Sequence, residues 1–199
     1  MPASSPPPNA LLVVATGNPG KLKEMEAHLA GWDWQLQLKP PELEIEETGT
    51  TFEENARLKA SQVAQATGQW AIADDSGLAV DALGGAPGVY SARYGDSDED
   101  RIARLLRELG DTENRAAHFA CAIAIARPDG SIALEATGIC PGEILSAPRG
   151  SGGFGYDPIF YISEAQQTFA EMTASQKQAI SHRGQAFQAL LPKLPSPST

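Results

Sequence analysis

Short apolar runs that stop abruptly on Gly, Asn or Asp set the rhythm of this chain. Leu11 to Ala15 is an uninterrupted apolar run ending on Thr16-Gly17-Asn18-Pro19-Gly20, which predicts a buried strand, a turn, and a helix from Lys21 to Ala30. Thr51 and Glu54 have capping-box spacing, so each side chain can satisfy the other's orphan amide, and the helical pattern continues to Thr67. Trp70 to Ala73 predicts a short central strand that stops at an acidic turn, Asp74-Asp75-Ser76-Gly77. Gly84 to Gly95 is rich in loop residues, and Ser97 to Leu109 predicts a second capped helix. Ala116–Ala126 and Ser131–Ile139 alternate as strands on either side of a Pro128-Asp129-Gly130 turn, giving a hairpin. A glycine-rich loop from Gly150 to Tyr156 leads into a strand at Ile159–Ile162, and Thr173 with Gln176 caps a last helix beginning near Ala174. Strands alternating with helices, followed by a hairpin, predict an α/β protein with a mixed twisted sheet and flanking helices.

At 199 residues and 42% hydrophobic, the chain suits one domain, placed at 10–192, with a Pro/Ser-rich tail at 1–9 expected to be disordered and a flexible end at 193–199. The net charge of −10 excludes a general nucleic-acid binder, which neutralises phosphates with clustered Lys and Arg. Any phosphate must therefore meet a few placed cations or a metal. Cys121 and Cys140 lie far apart without C-x-x-C spacing, so neither a disulfide framework nor a zinc knuckle is indicated. No apolar run reaches the ~20 residues of a membrane span, and no signal pattern opens the chain; the expectation is a cytoplasmic protein without a membrane partner.

Four segments concentrate chemistry. Thr16, Gly17, Asn18, Pro19, Gly20 and Lys21 lie between a strand and a helix, where amides at a helix start and a lysine suit phosphate, although the spacing is not that of a Walker loop. Glu46 and Glu47, followed by a helix with Asn55 and Lys59 one turn apart, bring the hard oxygen ligands that Mg²⁺ prefers. Asp74 and Asp75 can hold a metal and take a proton from water, with only one of the two facing a given site because side chains alternate along extended backbone. Phe154, Gly155, Tyr156 and Asp157 offer a ring and a carboxylate to a base, while Lys177, His182 and Arg183 supply donors that converge only if the chain bends near His182. His28 and His118 are read as structural, and no histidine pair has zinc-ligand spacing.

Taken in order, ATGNPGK, EETGTTFEENARLKA, ADDSGLAVDALGGAPGVYSARY, GGFGYDPIF and SHRGQAF resemble the inosine/xanthosine triphosphate pyrophosphatase family, from Leu11 to about Leu191. That resemblance implies hydrolysis of ITP, dITP and XTP to the monophosphate and pyrophosphate, by a homodimer whose two lobes surround a central cleft. It implies a triphosphate cradle from Thr16 to Lys21, with Mg²⁺ on Glu46 and Asp75, and Asp75 as proton acceptor. Ser76, Phe154, Gly155, Tyr156, Asp157, Lys177, His182 and Arg183 would contact the purine nucleotide. Adjacent Glu46 and Glu47 are not distinguished by sequence. Two alternatives stay open: a pyrophosphatase for other nucleotides with the same metal chemistry, and a nucleotide-binding protein without turnover.

Overall fold

The computed structural model describes residues 5–194, so the expected tails fall partly outside the described residues. Seven strands hydrogen-bond in the order β2-β1-β3-β4-β5-β6-β7: β1 (Leu11–Val14), β2 (Gln35–Leu38), β3 (Trp70–Val80), β4 (Ala116–Ala126), β5 (Ile132–Ile144), β6 (Phe160–Ile162) and β7 (Gln167–Thr168). β1 runs parallel to β2 and to β3, whereas β6 is antiparallel to β5 and to β7. The sheet is mixed, as the sequence predicts. Helices α1 (Pro19–Leu29), α2 (Phe52–Thr67), α3 (Asp98–Leu109), α4 (Ala174–Ile180) and α5 (His182–Leu190) complete the α/β fold. Among the described residues, no helix is long and apolar enough to cross a membrane.

The chain divides into two compact units. The first takes in residues 5–75, Cys121–Gly138 and 186–194 of the described chain, and the second Ser76–Ala120 and Ile139–Gln185. Strand pleating organises the first unit. Leu12, Val14, Trp70 and Ile72 pack with Met25 and Leu29 of α1, while Val13, Ala15, Ala71 and Ala73 pack with Ala56, Ala60, Val63 and Ala64 of α2. Residues of opposite parity on β1 and β3 thus belong to opposite faces, one covered by each helix. The face under α2 is almost all alanine, which lets helix and sheet backbones approach closely. In the second unit, Phe119, Phe160 and Phe169 form an aromatic nucleus, with Phe119 edge-on to Phe160 at 4.7 Å between ring centres.

Helix boundaries follow capping chemistry. Thr51 Oγ1 accepts from Glu54 N at 3.1 Å, and the Glu54 carboxylate accepts from Thr50 N at 2.7 Å and Thr50 Oγ1 at 2.9 Å, so the reciprocal bond reaches one residue beyond the expected box. α2 ends on Gly68, whose φ of 64° is the left-handed geometry a helix C-terminus favours. The full capping box predicted at Thr173 and Gln176 is present.

Several sequence expectations are corrected. β3 does not stop at an acidic turn; it continues in extended conformation through Asp74, Asp75, Ser76 and Gly77 to Val80. Low strand propensity at those four residues is overridden by burial and by ion pairs made on both faces. α1 begins at Pro19, whose missing N–H and fixed φ suit the first helical position, rather than at Lys21. β5 extends past Ile139 to Ile144, and a Cβ on Gly142 would lie 2.6 Å from the Phe160 ring and 2.7 Å from the Tyr161 oxygen. Glycine there admits β6 rather than ending the strand.

Candidate active site

Asp74 and Asp75, adjacent on β3, are drawn apart by the pleat toward different helices. Asp74 Oδ2 pairs with Lys21 Nζ of α1 at 3.1 Å, and Asp75 Oδ1 pairs with Lys59 Nζ of α2 at 2.7 Å. Both aspartates are buried, at 1% and 6% exposure. Lys59 also reaches Glu47 Oε1 at 3.0 Å. One helical turn earlier, the fully buried Asn55 donates from Nδ2 to Asp75 Oδ2 at 3.3 Å and accepts from Gly49 N at 2.8 Å. The 3.6-residue repeat of α2 therefore presents an amide and an ammonium side by side to one carboxylate.

Burial pushes the Asp75 carboxyl above its ordinary value, and the Lys59 and Lys21 ammoniums pull it back only in part. Burial also works against the charge on Lys59, but the Asp75, Asp74 and Glu47 carboxylates outweigh it and raise that pKa. Both partners shift upward for different reasons: burial dominates at Asp75, whereas at Lys59 three carboxylates together outweigh it. Lys59 is thus held charged, and Asp75 is made more basic than a surface aspartate.

In the expected phosphate cradle, Asn18 caps α1, its Oδ1 accepting from Gly20 N at 2.8 Å and Lys21 N at 3.3 Å. Thr16 Oγ1 accepts from Asn18 N at 3.1 Å. The side-chain oxygen of Asn18 is committed to the helix start, so any phosphate contact by Asn18 falls to the other end of its amide. Gly17 has open space where a Cβ would stand. Pro19 sets the first turn, and Lys21 projects from the helix to Asp74.

Within the second unit, the Phe154-to-Asp157 loop is built around Asp157. Its Oδ2 accepts from Phe154 N at 2.9 Å and from Lys177 Nζ at 2.6 Å, and Lys177 Nζ lies 4.6 Å from the centre of the Phe154 ring. Gly153, at φ 72°, passes so close that a Cβ would sit 2.0 Å from Asp157 Oδ2. Asp157 thus organises the loop and Lys177, where the sequence suggests a direct contact with ring nitrogens. Tyr156 is buried at 3% exposure and donates its hydroxyl to Ser91 O at 2.9 Å, so it braces the loop from behind. Ser181 breaks the last helix into α4 and α5 with extended backbone (φ −65°, ψ 159°), the bend that His182 and Arg183 require. His182 then stacks on Phe119 at 4.6 Å, and Arg183 donates from Nη2 to Ser76 Oγ at 2.9 Å. Phe169 lies between the two donors, 5.6 Å from Lys177 Nζ and 6.4 Å from the His182 ring. His28 stacks on Phe187 at 4.4 Å, a structural contact as expected.

A sequence profile of the Ham1 family matches residues 12–193. The chain belongs to the Ham1 family. A dITP/XTP pyrophosphatase of Nostoc sp. is 69% identical over 184 residues, covering 92% of this chain and 94% of that protein. A dITP/XTP pyrophosphatase of Synechocystis sp. is 62% identical, covering 92% and 95%. The solved structure of the Staphylococcus aureus Ham1 protein superposes with a TM-score of 0.81 at 42% identity, covering 92% of this chain and 96% of that one. A Ham1 protein from Coxiella burnetii gives 0.80 at 43% identity, covering 90% and 95%.

In this Ham1 chain the expected site residues fall into two sets. Thr16 to Lys21, Asp74 and Asp75 belong to the first unit, and Ser76, Phe154 to Asp157, Lys177, His182 and Arg183 to the second. Of the two neighbouring glutamates, Glu47 is the one that reaches Lys59; Glu46 is exposed on its loop. Asp98, Phe119 and Phe169, which touch Gly155, His182 and Lys177, are not singled out by the sequence. Each carries an ordinary local signal, a helix first turn or a core aromatic, and each acts through contacts far along the chain. Among the described residues, no three His, Cys, Asp or Glu side chains gather closely enough to hold a metal by themselves. The carboxylates near Lys59 are all hard oxygen donors, which fits Mg²⁺, an ion commonly held by one or two carboxylates plus water and substrate phosphate.

Proposed function

We propose that this chain hydrolyses non-standard purine nucleoside triphosphates, ITP, dITP and XTP, to the monophosphate and pyrophosphate. The observation that carries the reading is Asp75: a buried, basic carboxylate gripped by Lys59 and Asn55, in a chain 69% and 62% identical to two proteins named dITP/XTP pyrophosphatase. Bound through Asp75 and a glutamate of the Glu46-Glu47 pair, Mg²⁺ would neutralise the triphosphate. Asp75 accepts a proton from the water whose oxygen bonds to the α-phosphorus, and the bond from that phosphorus to the oxygen joining it to the β-phosphate breaks, that oxygen leaving with the pyrophosphate. Lys59 stays protonated through the reaction and fixes the orientation of Asp75. Lys21, at the start of α1, is the cation placed to meet phosphate charge.

On the base side, Phe154 offers a face for stacking, and Lys177, His182 and Arg183 supply donors for a 6-oxo purine. Adenine presents an amino group at that position and leaves such donors unpaired, at about 1–3 kcal/mol each. The test is incubation with ITP, XTP, dITP, GTP and ATP in the presence of Mg²⁺, following monophosphate and pyrophosphate. Release of orthophosphate, or equal turnover of ATP, refutes the reading. The resemblance also carries a cytoplasmic homodimer, which light scattering coupled to gel filtration checks on the assembly side.

A further inference from the structure

The loop that carries Phe154 is fastened by two consecutive backbone amides, each to a different carboxylate. Phe154 N donates to Asp157 Oδ2 within the loop itself. Gly155 N donates to Asp98 Oδ2 at 2.6 Å, across 57 positions of sequence, and Asp98 stands in the first turn of α3. The other carboxylate oxygen of Asp98 accepts from Arg101 Nη1 at 2.6 Å, and Arg101 Nε donates to Gly95 O at 3.1 Å. Gly95 lies so close to α3 that a Cβ there would be 2.8 Å from Arg101 N. Asp98 is therefore gripped on one side and aimed on the other. Gly155 has a φ of 61°, so its amide direction is set by a left-handed backbone that the hydrogen bond holds in place.

From this we infer that Asp98 is a positioning residue for nucleotide recognition, fixing the loop whose Phe154 ring receives the base. The inference rests on the proposed function. Asp98 touches no substrate; it acts by limiting the conformations of residues 154 and 155, so that less order has to be imposed when the nucleotide binds. The side chain is 41% exposed, which places its hydrogen bond toward the weak end of the charge-assisted range. Its removal should therefore be read in KM rather than in loss of the fold.

Three variants separate this role from a general effect on α3. Asp98→Ala loses the acceptor; Asp98→Asn keeps an oxygen for Gly155 N; Glu99→Ala removes another first-turn carboxylate without touching the loop. With ITP and Mg²⁺, Asp98→Ala should raise KM by about three- to tenfold, the equivalent of one such hydrogen bond, with kcat within twofold of wild type. Asp98→Asn and Glu99→Ala should keep the wild-type KM. Amide hydrogen exchange, measured without nucleotide, should quicken at residues 154 and 155 in Asp98→Ala alone. The inference is overturned if KM for Asp98→Ala stays within twofold of wild type, if Glu99→Ala raises KM equally, if kcat falls while KM holds, or if exchange at 154 and 155 is unchanged. Failure of the functional reading looks different: wild-type protein would leave ITP intact, while the exchange measurement still passes judgement on Asp98 as the support of the loop.

Discussion

Replacing Asn55 with leucine tests whether the Asp75 site is held by specific polar pairing or merely by shape. Leucine matches asparagine in branching and heavy-atom count but offers neither donor nor acceptor, so the α2 face stays filled. Two groups then lose their partner: the half-buried Gly49 amide, which now donates at 2.8 Å, and the buried Asp75 Oδ2, which now accepts at 3.3 Å. Each orphaned group costs about 1–3 kcal/mol, and the longer bond belongs at the lower end, giving about 2–4 kcal/mol in total. For a chain of this size each kcal/mol lowers Tm by about 2–4 °C, so the expected fall is about 4–16 °C. Scanning calorimetry of wild type and Asn55→Leu measures it. Turnover of ITP by the still-folded variant at 25 °C should fall more than about tenfold, because a misplaced carboxylate loses its geometry toward water and phosphate. A Tm within about 2 °C of wild type would refute the reasoning, showing that neighbouring groups or water satisfy both Gly49 and Asp75 without the amide.

Gly153→Ala forces a side chain onto a left-handed backbone and against Asp157 Oδ2; a stability loss of about 1–3 kcal/mol and a raised KM are expected, checked by urea unfolding and ITP kinetics. Tyr94 is pushed up to about 12 by burial and by its hydrogen bond to Glu108, from an ordinary value of 10.0. The native tyrosine keeps its proton where the unfolded one has lost it, so stability should fall as pH rises from about 10 to 12, and Tyr94→Phe should remove that part of the slope in pH-dependent unfolding. Burial lifts the Cys140 thiol to about 11, leaving almost no thiolate near neutral pH; Cys140 should resist Ellman's reagent in the folded protein and react quickly once it is unfolded in guanidinium.

How much of this was legible in the sequence varies with the range of the interaction. Helices α2, α3 and α4 announce themselves through Thr51, Ser97 and Thr173, because a cap acts within three residues of itself. The hairpin at Asp129 is local too, with Asp129 Oδ1 accepting from Ser131 N at 2.9 Å. β2 escapes notice although Gln35-Leu36-Gln37-Leu38 alternates, since it is a four-residue edge strand and most of it is exposed. The continuation of β3 through Asp74-Asp75-Ser76-Gly77 escapes for a stronger reason: what keeps those residues extended is Lys21 and Lys59, which arrive from two helices. In the site, residue types and order were readable, and a bend near His182 was the stated condition for His182 and Arg183 to converge with Lys177, though not its place at Ser181. The pairing of Asp157 with Lys177 and of Asp98 with Gly155 depends on contacts across 20 and 57 positions that no local pattern encodes.

The pleat of β3 also explains how two neighbouring aspartates avoid acting as a proton-sharing dyad. Carboxylates that face each other at close range cannot both ionise easily, and one of them is driven neutral. Here alternation sends Asp74 to the α1 face and Asp75 to the α2 face, and each finds its own ammonium there. The pair is thereby divided into separate electrostatic tasks. Asp74, at 1% exposure, holds Lys21 at the helix start where phosphate charge would be met. Asp75 is raised in proton affinity by burial, and the lysine that holds it also serves Glu47, so its charge is only partly compensated. A chain with a net charge of −10 can approach a triphosphate only if its few cations are placed with this economy, and a strand that passes between two helices provides the placement.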